Sequence, residues 1–473
     1  MKNKLFYLIS VACFLSYTGT FTSCVNGVDD EYLEQKFTDD GETNKEKGGE
    51  EIPDLNGDYS IEGDFDLELT CNGEVLEGKK VILTTDEKNE TASITFTGAQ
   101  IDLETPIASA IPGGTGGLVM GWGLKYTSYS PVPGEKEITI NDVPLYKRGS
   151  SYYFEGSLTQ PTYTINYTGA IGDEKMTVNM NYELANQTLA GTWMTAPNAR
   201  PSGDNTTVCS PLWFDLDSNI KVTMGQISIA NITEYPMNGI FSLISGPMSK
   251  FIMKQLGIDE ELEIIVRNLL ESVTAEPNGG MFASYSYGDD LTKPGPYSTN
   301  MPHNAVRYYY DPITPDSRIY MEINGGFLIE MIKSLASAAT TTSRSNPTTR
   351  DLRDTAKELI AALVPVLEKG IPCDYTLDNN NNLTINIDGI LLRDVLSKLM
   401  DVANSPDAAS FVDELLAQVG DYAPNIKLLF STLPYALKYH DANEYDKETH
   451  IPLDPTGECG YVKLGLKFVK AAN

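Results

Sequence analysis

The residues best suited to ligand binding are six tyrosines that flank a polar loop rich in proline and glycine. They are Tyr285, Tyr287, Tyr297, Tyr308, Tyr309 and Tyr310. An aromatic ring with a polar edge can stack on the face of a sugar. Alternation along residues 308–310 also predicts at least one ring on the solvent side of a half-buried strand. We therefore treat the six tyrosines as candidate ligand contacts, and packing of the same rings into a core is the alternative.

A second candidate is an acidic loop near the C-terminus that holds two of the three histidines. Its possible metal ligands are His440, Asp441, Glu444 and His450. Imidazole nitrogens and carboxylate oxygens both coordinate divalent cations, but this spacing matches no established metal site. A solvated loop is therefore the favoured interpretation. We expect no metal and no other cofactor.

The sequence patterns of the common enzyme classes are missing. The chain contains no GxSxG, HExxH, P-loop or dinucleotide-binding motif. With 65 acidic residues, no pair of carboxylates stands out as the acid and base of a glycosidase. We expect a non-enzymatic protein, and a hydrolase with an unrecognised site is one alternative.

The first 23 residues are organised as a secretory signal peptide. Lys2 and Lys4 precede an apolar stretch at residues 5–15, which is too short to span a bilayer. The stretch leads to Phe21-Thr22-Ser23-Cys24, which resembles the lipobox of bacterial lipoproteins with phenylalanine in place of the usual leucine. The resemblance implies that Cys24 is acylated and attaches the protein to a lipid membrane.

Residues 24–52 have the composition of an acidic flexible tether. Acidic residues far outnumber lysines and few residues are apolar, so the segment cannot bury enough surface to fold. Asp29, Asp30 and Glu31 resemble the acidic signal that directs Bacteroidetes lipoproteins to the cell surface, and a plain solvated linker is the alternative. We therefore expect a lipid-anchored outer-membrane protein that faces either the cell surface or the periplasm.

The net charge limits the classes of partner that the protein can bind. A net charge of −30 argues against nucleic acid, which requires a basic surface. An apolar small molecule or a glycan remains possible, and the sequence does not determine the oligomeric state.

The mature body contains four widely spaced cysteines, which allow three disulfide connectivities, although buried free thiols are favoured. They are Cys71, Cys209, Cys373 and Cys459.

The sequence pattern of residues 53–190 predicts a mainly β domain. Short segments of alternating polarity, such as residues 59–69 and 163–167, are separated by turn signals such as Asn72-Gly73. This spacing predicts an antiparallel barrel or sandwich. The run Leu55-Asn56-Gly57-Asp58-Tyr59 and the segment 134–143 resemble the calycin-like, or lipocalin-like, barrel domain of an uncharacterised two-domain Bacteroidetes lipoprotein family. That family implies a fold and no assigned activity.

The sequence pattern of residues 191–473 predicts an α+β domain with repeated hairpin–helix units. Residues 323–335 parallel residues 387–399 at an offset of 64, and each copy follows a predicted hairpin and continues into an amphipathic helix. A barrel of about eight strands can hold a small ligand. We therefore expect a lipoprotein that binds a small apolar ligand or lipid. A cell-surface adhesin or glycan-binding subunit is the alternative.

Overall fold

The fold is given by a computed structural model. It describes residues 54–60, 63–102, 125–172, 174–197, 211–223, 234–239, 254, 259–286, 290, 292–299, 301, 303–324, 368–403 and 423–471. The predicted signal peptide and the tether with Cys24 and Asp29–Glu31 lie outside the described residues. The lipid anchor and the surface signal therefore stay predictions.

The described residues of the N-terminal part, which the sequence predicted to be mainly β, form twelve strands. They are β1 (Gly57–Tyr59), β2 (Asp66–Cys71), β3 (Glu74–Val75), β4 (Lys79–Thr85), β5 (Thr91–Gly98), β6 (Gln100–Asp102), β7 (Lys125–Thr127), β8 (Glu137–Pro144), β9 (Tyr146–Arg148), β10 (Ser151–Thr159), β11 (Tyr163–Gly172) and β12 (Lys175–Leu184). Alternation places one set of side chains inside. In β5, Ala92, Ile94 and Phe96 are buried, whereas Ser93 and Thr95 are not.

These strands build two larger sheets that pack face to face. One has the order β1-β4-β5-β8, and the other has the order β3-β2-β12-β11-β10-β9. Neighbouring strands are antiparallel except β2 and β12, which run parallel. Phe96 of the first sheet meets Tyr167 of the second edge-on, with ring centroids 6.2 Å apart. Of the two architectures expected for residues 53–190, the described strands resemble the sandwich.

The C-terminal part contains fourteen described strands and three described helices. They are β13 (Gly191–Thr195), β14 (Leu212–Leu216), β15 (Lys221–Thr223), β16 (Glu234–Pro236), α1 (Leu262–Leu269), β17 (Leu270–Ala275), β18 (Gly280–Ser286), β19 (Tyr297–Ser298), β20 (Val306–Tyr310), β21 (Arg318–Ile323), β22 (Ile371–Leu377), β23 (Asn382–Ile387), α2 (Gly389–Ala403), α3 (Ala423–Lys438), β24 (Asp441–Ala442), β25 (Pro455–Thr456) and β26 (Val462–Lys470).

Eight of these strands close into an antiparallel barrel. Their order is β13-β17-β18-β20-β21-β22-β23-β26, and β26 pairs back with β13. Strand β14 pairs with the other half of β26, and β19 pairs with β18. The sequence predicted a barrel or a sandwich in residues 53–190, whereas the closed ring is formed by residues 191–470. The ring closes because the last strand pairs with both β23 and β13.

The two ends of the barrel differ in the length of their connections. At one end, short turns join β17 to β18, β20 to β21 and β22 to β23. In the last of these turns, the Asp378 carboxylate accepts the N–H groups of Asn380 and Asn382, each at 2.8 Å. At the opposite end, the connections after β13, β18, β21 and β23 are all long. We call these the hairpin end and the loop end.

The helix α2 begins where its sequence provides a cap. Asp388 accepts the backbone N–H groups of Ile390 and Leu391 at 3.0 and 2.9 Å, which satisfies two free donors of the first turn. The hairpin β22–β23 followed by α2 matches one predicted hairpin–helix unit. The helix expected after β20–β21 lies outside the described residues. The repeated unit therefore stays a prediction.

Candidate functional site

The barrel has an apolar inner surface. Directly paired residues share a face of a sheet, so Tyr308, Met321 and Ile371 point to the same side. The same register continues around the ring and gives an inner face that is mostly apolar or aromatic, with Thr195 and Lys470 as polar members. Its members include Trp193, Val273, Ala283, Tyr308, Tyr310, Ile319, Cys373, Tyr375, Ile385, Ile387, Leu466 and Phe468. We call the space that they enclose the lumen.

Aromatic side chains close the lumen at the hairpin end. Trp193 Nε1 donates to the carbonyl of Leu189 at 2.8 Å, and the Tyr375 hydroxyl donates to the carbonyl of Pro315 at 2.7 Å. The Tyr308 hydroxyl donates to the Glu276 carbonyl at 3.1 Å. Each polar edge thus reaches backbone at the hairpin end and leaves its ring in the lumen. Burial raises the pKa of Tyr375 to about 12, with smaller contributions from Tyr310 and Asp316.

The lumen is less completely covered toward the loop end. Val306 begins β20, and it pairs directly with Ile323 at the end of β21. Both side chains are partly exposed, as are Met321 and Leu464. The structure therefore has an apolar inner face that is tightly packed at one end and retains accessible apolar surface toward the other.

Five of the six candidate tyrosines are described, and their rings are mostly covered. Tyr285 is buried near the loop end, and Tyr308 and Tyr310 are buried in the lumen. Tyr297 is partly exposed, and its hydroxyl donates to the Arg267 carbonyl at 3.1 Å. Tyr287 lies outside the described residues.

Tyr309 shows why the solvent-facing ring expected from the alternation of residues 308–310 is not observed. This ring points out of the barrel, but it stacks on Tyr320 at a centroid distance of 5.0 Å. Its hydroxyl donates to the Lys369 carbonyl at 2.7 Å. Gly134 of the N-terminal part lies against the ring, where an added Cβ would come within 2.6 Å. The outer face of the strand is covered by the N-terminal part. A role of these tyrosines in ligand contact stays a prediction.

A buried charge cluster joins the two parts of the chain. The Arg307 guanidinium contacts both oxygens of the Glu322 carboxylate at 3.2 and 3.3 Å. Lys79 Nζ, from the N-terminal part, lies 3.4 Å from the same carboxylate and donates to the Tyr129 carbonyl at 2.9 Å. Arg307 also donates to the Pro131 carbonyl at 2.5 Å. We call this set, Lys79, Arg307 and Glu322, the junction cluster.

Electrostatics in the junction cluster follow from burial and a charge imbalance. Two cations share one carboxylate. Burial lowers the pKa of Lys79 to about 8, with Glu322 opposing and Arg307 adding to the shift. Burial alone would raise the pKa of Glu322, but Arg307 and Lys79 hold it below its usual range. This cluster was not predicted from the sequence. The signal in the sequence was the position of Arg307 and Glu322 between apolar or aromatic residues of β20 and β21.

The candidate metal loop holds a histidine between two carboxylates. His440 Nδ1 lies 2.5 Å from Asp441, and Nε2 lies 3.3 Å from Asp217, which was not among the predicted ligands. The hydrogen bond with Asp441 raises the pKa of His440, and the charge of Asp217 adds to the shift. Glu444 and His450 supply backbone hydrogen bonds of the loop, to Leu453 and Asp446. Among the described residues, no group of three or more His, Cys, Asp or Glu side chains could hold a metal ion.

The described cysteines are buried thiols. Cys71, Cys373 and Cys459 are free, and burial raises the pKa of each thiol. Cys209 lies outside the described residues. The free-thiol interpretation therefore holds for the three described cysteines.

Comparisons with known proteins provide no further constraint. A scan against protein-family models found no match, and searches of curated proteins and of solved structures found none either. The resemblance to a Bacteroidetes lipoprotein family therefore stays a prediction. Within the described part of the chain, no helix combines the length and apolarity needed to cross a bilayer.

Proposed function

We propose that this chain is an exported, membrane-anchored, non-enzymatic lipoprotein whose barrel binds a small apolar ligand or lipid. The observation that supports the proposal is the asymmetry of the lumen. Aromatic rings fill its hairpin end, whereas apolar side chains such as Val306 and Ile323 are partly exposed toward the loop end. Eight-stranded barrels have room for one small ligand when side chains do not fill them.

The energetics of the lumen favour an apolar ligand over a polar one. Removing apolar surface from water stabilises a complex by roughly 25 cal/mol per Å². A polar ligand would lose its hydration against an inner face made of aliphatic and aromatic side chains, and it would gain few hydrogen bonds in return. The tyrosine hydroxyls near the hairpin end do not offset this loss, because they are already bonded to backbone.

The test uses one substitution at each end of the barrel. Ile323→Trp adds bulk at a partly exposed lumen position, and Ile313→Trp makes the same change at an exposed position in the β20–β21 turn. We expect the fluorescent probe N-phenyl-1-naphthylamine to bind the body from residue 53 to 473. Ile323→Trp should weaken binding by about tenfold or more, and Ile313→Trp should leave it within about twofold.

Native mass spectrometry of the same body, before and after solvent extraction, would identify a ligand retained from expression. An added mass that extraction removes supports the proposal. Absence of probe binding, or equal binding by the two tryptophan variants, would count against a ligand in the lumen.

The anchor is proposed on the lipobox-like residues that end in Cys24. Metabolic labelling with an alkyne fatty acid should label the full-length chain, and Cys24→Ala should lose the label and leave the membrane fraction. Labelling that persists in Cys24→Ala would contradict acylation at this position. Protease treatment of whole cells would then separate a surface location from a periplasmic one.

A further inference from the structure

A polar cavity of about 270 Å³ lies between the N-terminal part and the outer wall of the barrel. It is separate from the lumen, because Gly280 in its wall belongs to the outward-facing set with Arg307. Its lining residues are Asn72, Glu74, Glu276, Asn278, Gly280, His303 and Asn304. Three of these side chains are ionisable, and none of the seven is a lysine or arginine.

One wall of the cavity is a fixed imidazole–carboxylate pair. His303 Nδ1 lies 3.1 Å from each oxygen of the Glu276 carboxylate. The imidazole also packs on Phe282, with ring centroids 4.5 Å apart. These two contacts fix the ring, and the contact of Nδ1 with the carboxylate leaves Nε2 as the other hydrogen-bonding atom. The His303 side chain is half exposed, so this edge is accessible.

The cavity lining also includes a second carboxylate that the backbone keeps in place. Glu74 accepts the N–H groups of His303 at 3.1 Å and Asn304 at 2.9 Å. The Asn304 amide donates to the carbonyls of Cys71 and Glu74 and anchors the same segment. The Glu74 carboxylate is therefore held at the cavity by backbone N–H groups, and no lysine or arginine is among the lining residues.

From this geometry we propose that the cavity binds a small organic cation carrying primary ammonium groups. Two carboxylates and an imidazole provide acceptors and negative charge, which suit an ammonium donor. The described residues contain no group of three or more His, Cys, Asp or Glu side chains that could hold a metal ion. A ligand that spans the cavity and reaches Glu74 and Glu276 separately fits this arrangement better than a single ion.

The experiment compares putrescine with 1,4-butanediol, which has the same chain length and no charge, by isothermal titration calorimetry at low ionic strength. We expect putrescine to bind about tenfold or more tightly than the diol. Glu276→Gln should weaken putrescine binding by about tenfold. Glu155→Gln, at an exposed position of β10, controls for general loss of negative charge and should leave binding within about twofold.

A second variant tests the cavity without changing its charge. A Cβ at Gly280 would lie 2.6 Å from the Glu276 carboxylate and 3.1 Å from Asn278, so Gly280→Ala should narrow the site and weaken putrescine binding. Circular dichroism and unchanged N-phenyl-1-naphthylamine binding would verify that each variant is folded. Equal binding of putrescine and the diol, or binding that neither Glu276→Gln nor Gly280→Ala weakens, would overturn the proposal. The lumen proposal would be unaffected by that result.

Discussion

The hairpin β20–β21 separates two interiors of opposite chemistry. On the lumen side, Ile319 packs among aliphatic and aromatic side chains. On the outer side, Arg307 and Glu322 meet Lys79 of the N-terminal part. Both interiors exclude water at these two positions, because Ile319 is 0% exposed and Arg307 is 2% exposed. An apolar side chain needs only contact to be buried, whereas a buried ion needs a counter-charge. The free energy of unfolding should therefore depend on side-chain volume in the lumen and on charge balance in the junction cluster.

The largest effect is expected from removing the single carboxylate of the junction cluster. Glu322→Gln keeps the shape of the side chain but leaves two buried cations without a counter-charge. We expect it to lower the free energy of unfolding by about 3–5 kcal/mol, as measured by urea denaturation.

The control for this variant is Asp374→Asn on the neighbouring strand β22. Its carboxylate is half exposed and lies 3.9 Å from Arg318, so the loss should stay within about 1 kcal/mol. Similar losses in the two variants would mean that the junction is held by packing and not by charge.

The next effect concerns volume in the lumen. Ile319→Ala removes buried aliphatic groups from a fully covered position and should lower the free energy of unfolding by about 2–4 kcal/mol. Ile319→Leu conserves the volume and should cost less than about 1.5 kcal/mol. Ile313→Ala, at a position that is 86% exposed, should be nearly neutral in the same denaturation series. If Ile319→Leu were as damaging as Ile319→Ala, shape and not volume would govern this site.

This comparison also shows which parts of the molecule were predictable from the sequence. Alternation locates strands because inward and outward side chains differ in polarity over a few residues, and β11 was found in this way. Barrel closure was not predictable, because the pairing of β26 with β13 joins segments at opposite ends of the C-terminal part. Neither segment carries a local signal for its partner.

The same limit applies to the candidate sites. The alternation of residues 308–310 places the Tyr309 ring on the outer face of the strand, where an exposed ring was expected. The N-terminal part covers this ring through Gly134, and the local sequence pattern does not show that contact. His303 and Glu276 lie 27 residues apart without a motif, and only the structure brings them together at one cavity. In contrast, Arg307 and Glu322 did carry a signal, since charges in an apolar strand need a buried partner or an interface.

A smaller effect is expected for Lys79, the second cation of the junction cluster. Lys79→Met leaves Glu322 paired with Arg307, and burying the ammonium costs about as much as its hydrogen bonds return. The stability at pH 7 should therefore change by only about 1 kcal/mol.

The pH dependence of this variant gives the sharper result. The pKa of Lys79 is lowered to about 8 in the folded chain, whereas the unfolded chain keeps its proton to higher pH. Between about pH 8 and pH 10 the unfolded state therefore binds more protons, and the wild-type protein should gain stability relative to Lys79→Met. Urea denaturation across this interval measures the difference. A flat or falling difference would show that Lys79 is not desolvated.

The smallest effect is expected at His440, the exposed counterpart of the junction cluster. This imidazole lies between Asp441 and Asp217, and its pKa is raised by them. Its contribution to stability is complete below about pH 6.5 and is lost as pH rises through the raised pKa. A third of the side chain is exposed, so solvent screens the interaction, and His440→Gln should lower Tm by less than about 2 °C at pH 6.

Thermal unfolding at pH 6 and pH 9, with His450→Gln as a control in the same loop, would measure this loss. A loss at pH 6 as large as that of Glu322→Gln would mean that exposed and buried ion pairs contribute alike in this protein, and the contrast between them would fail.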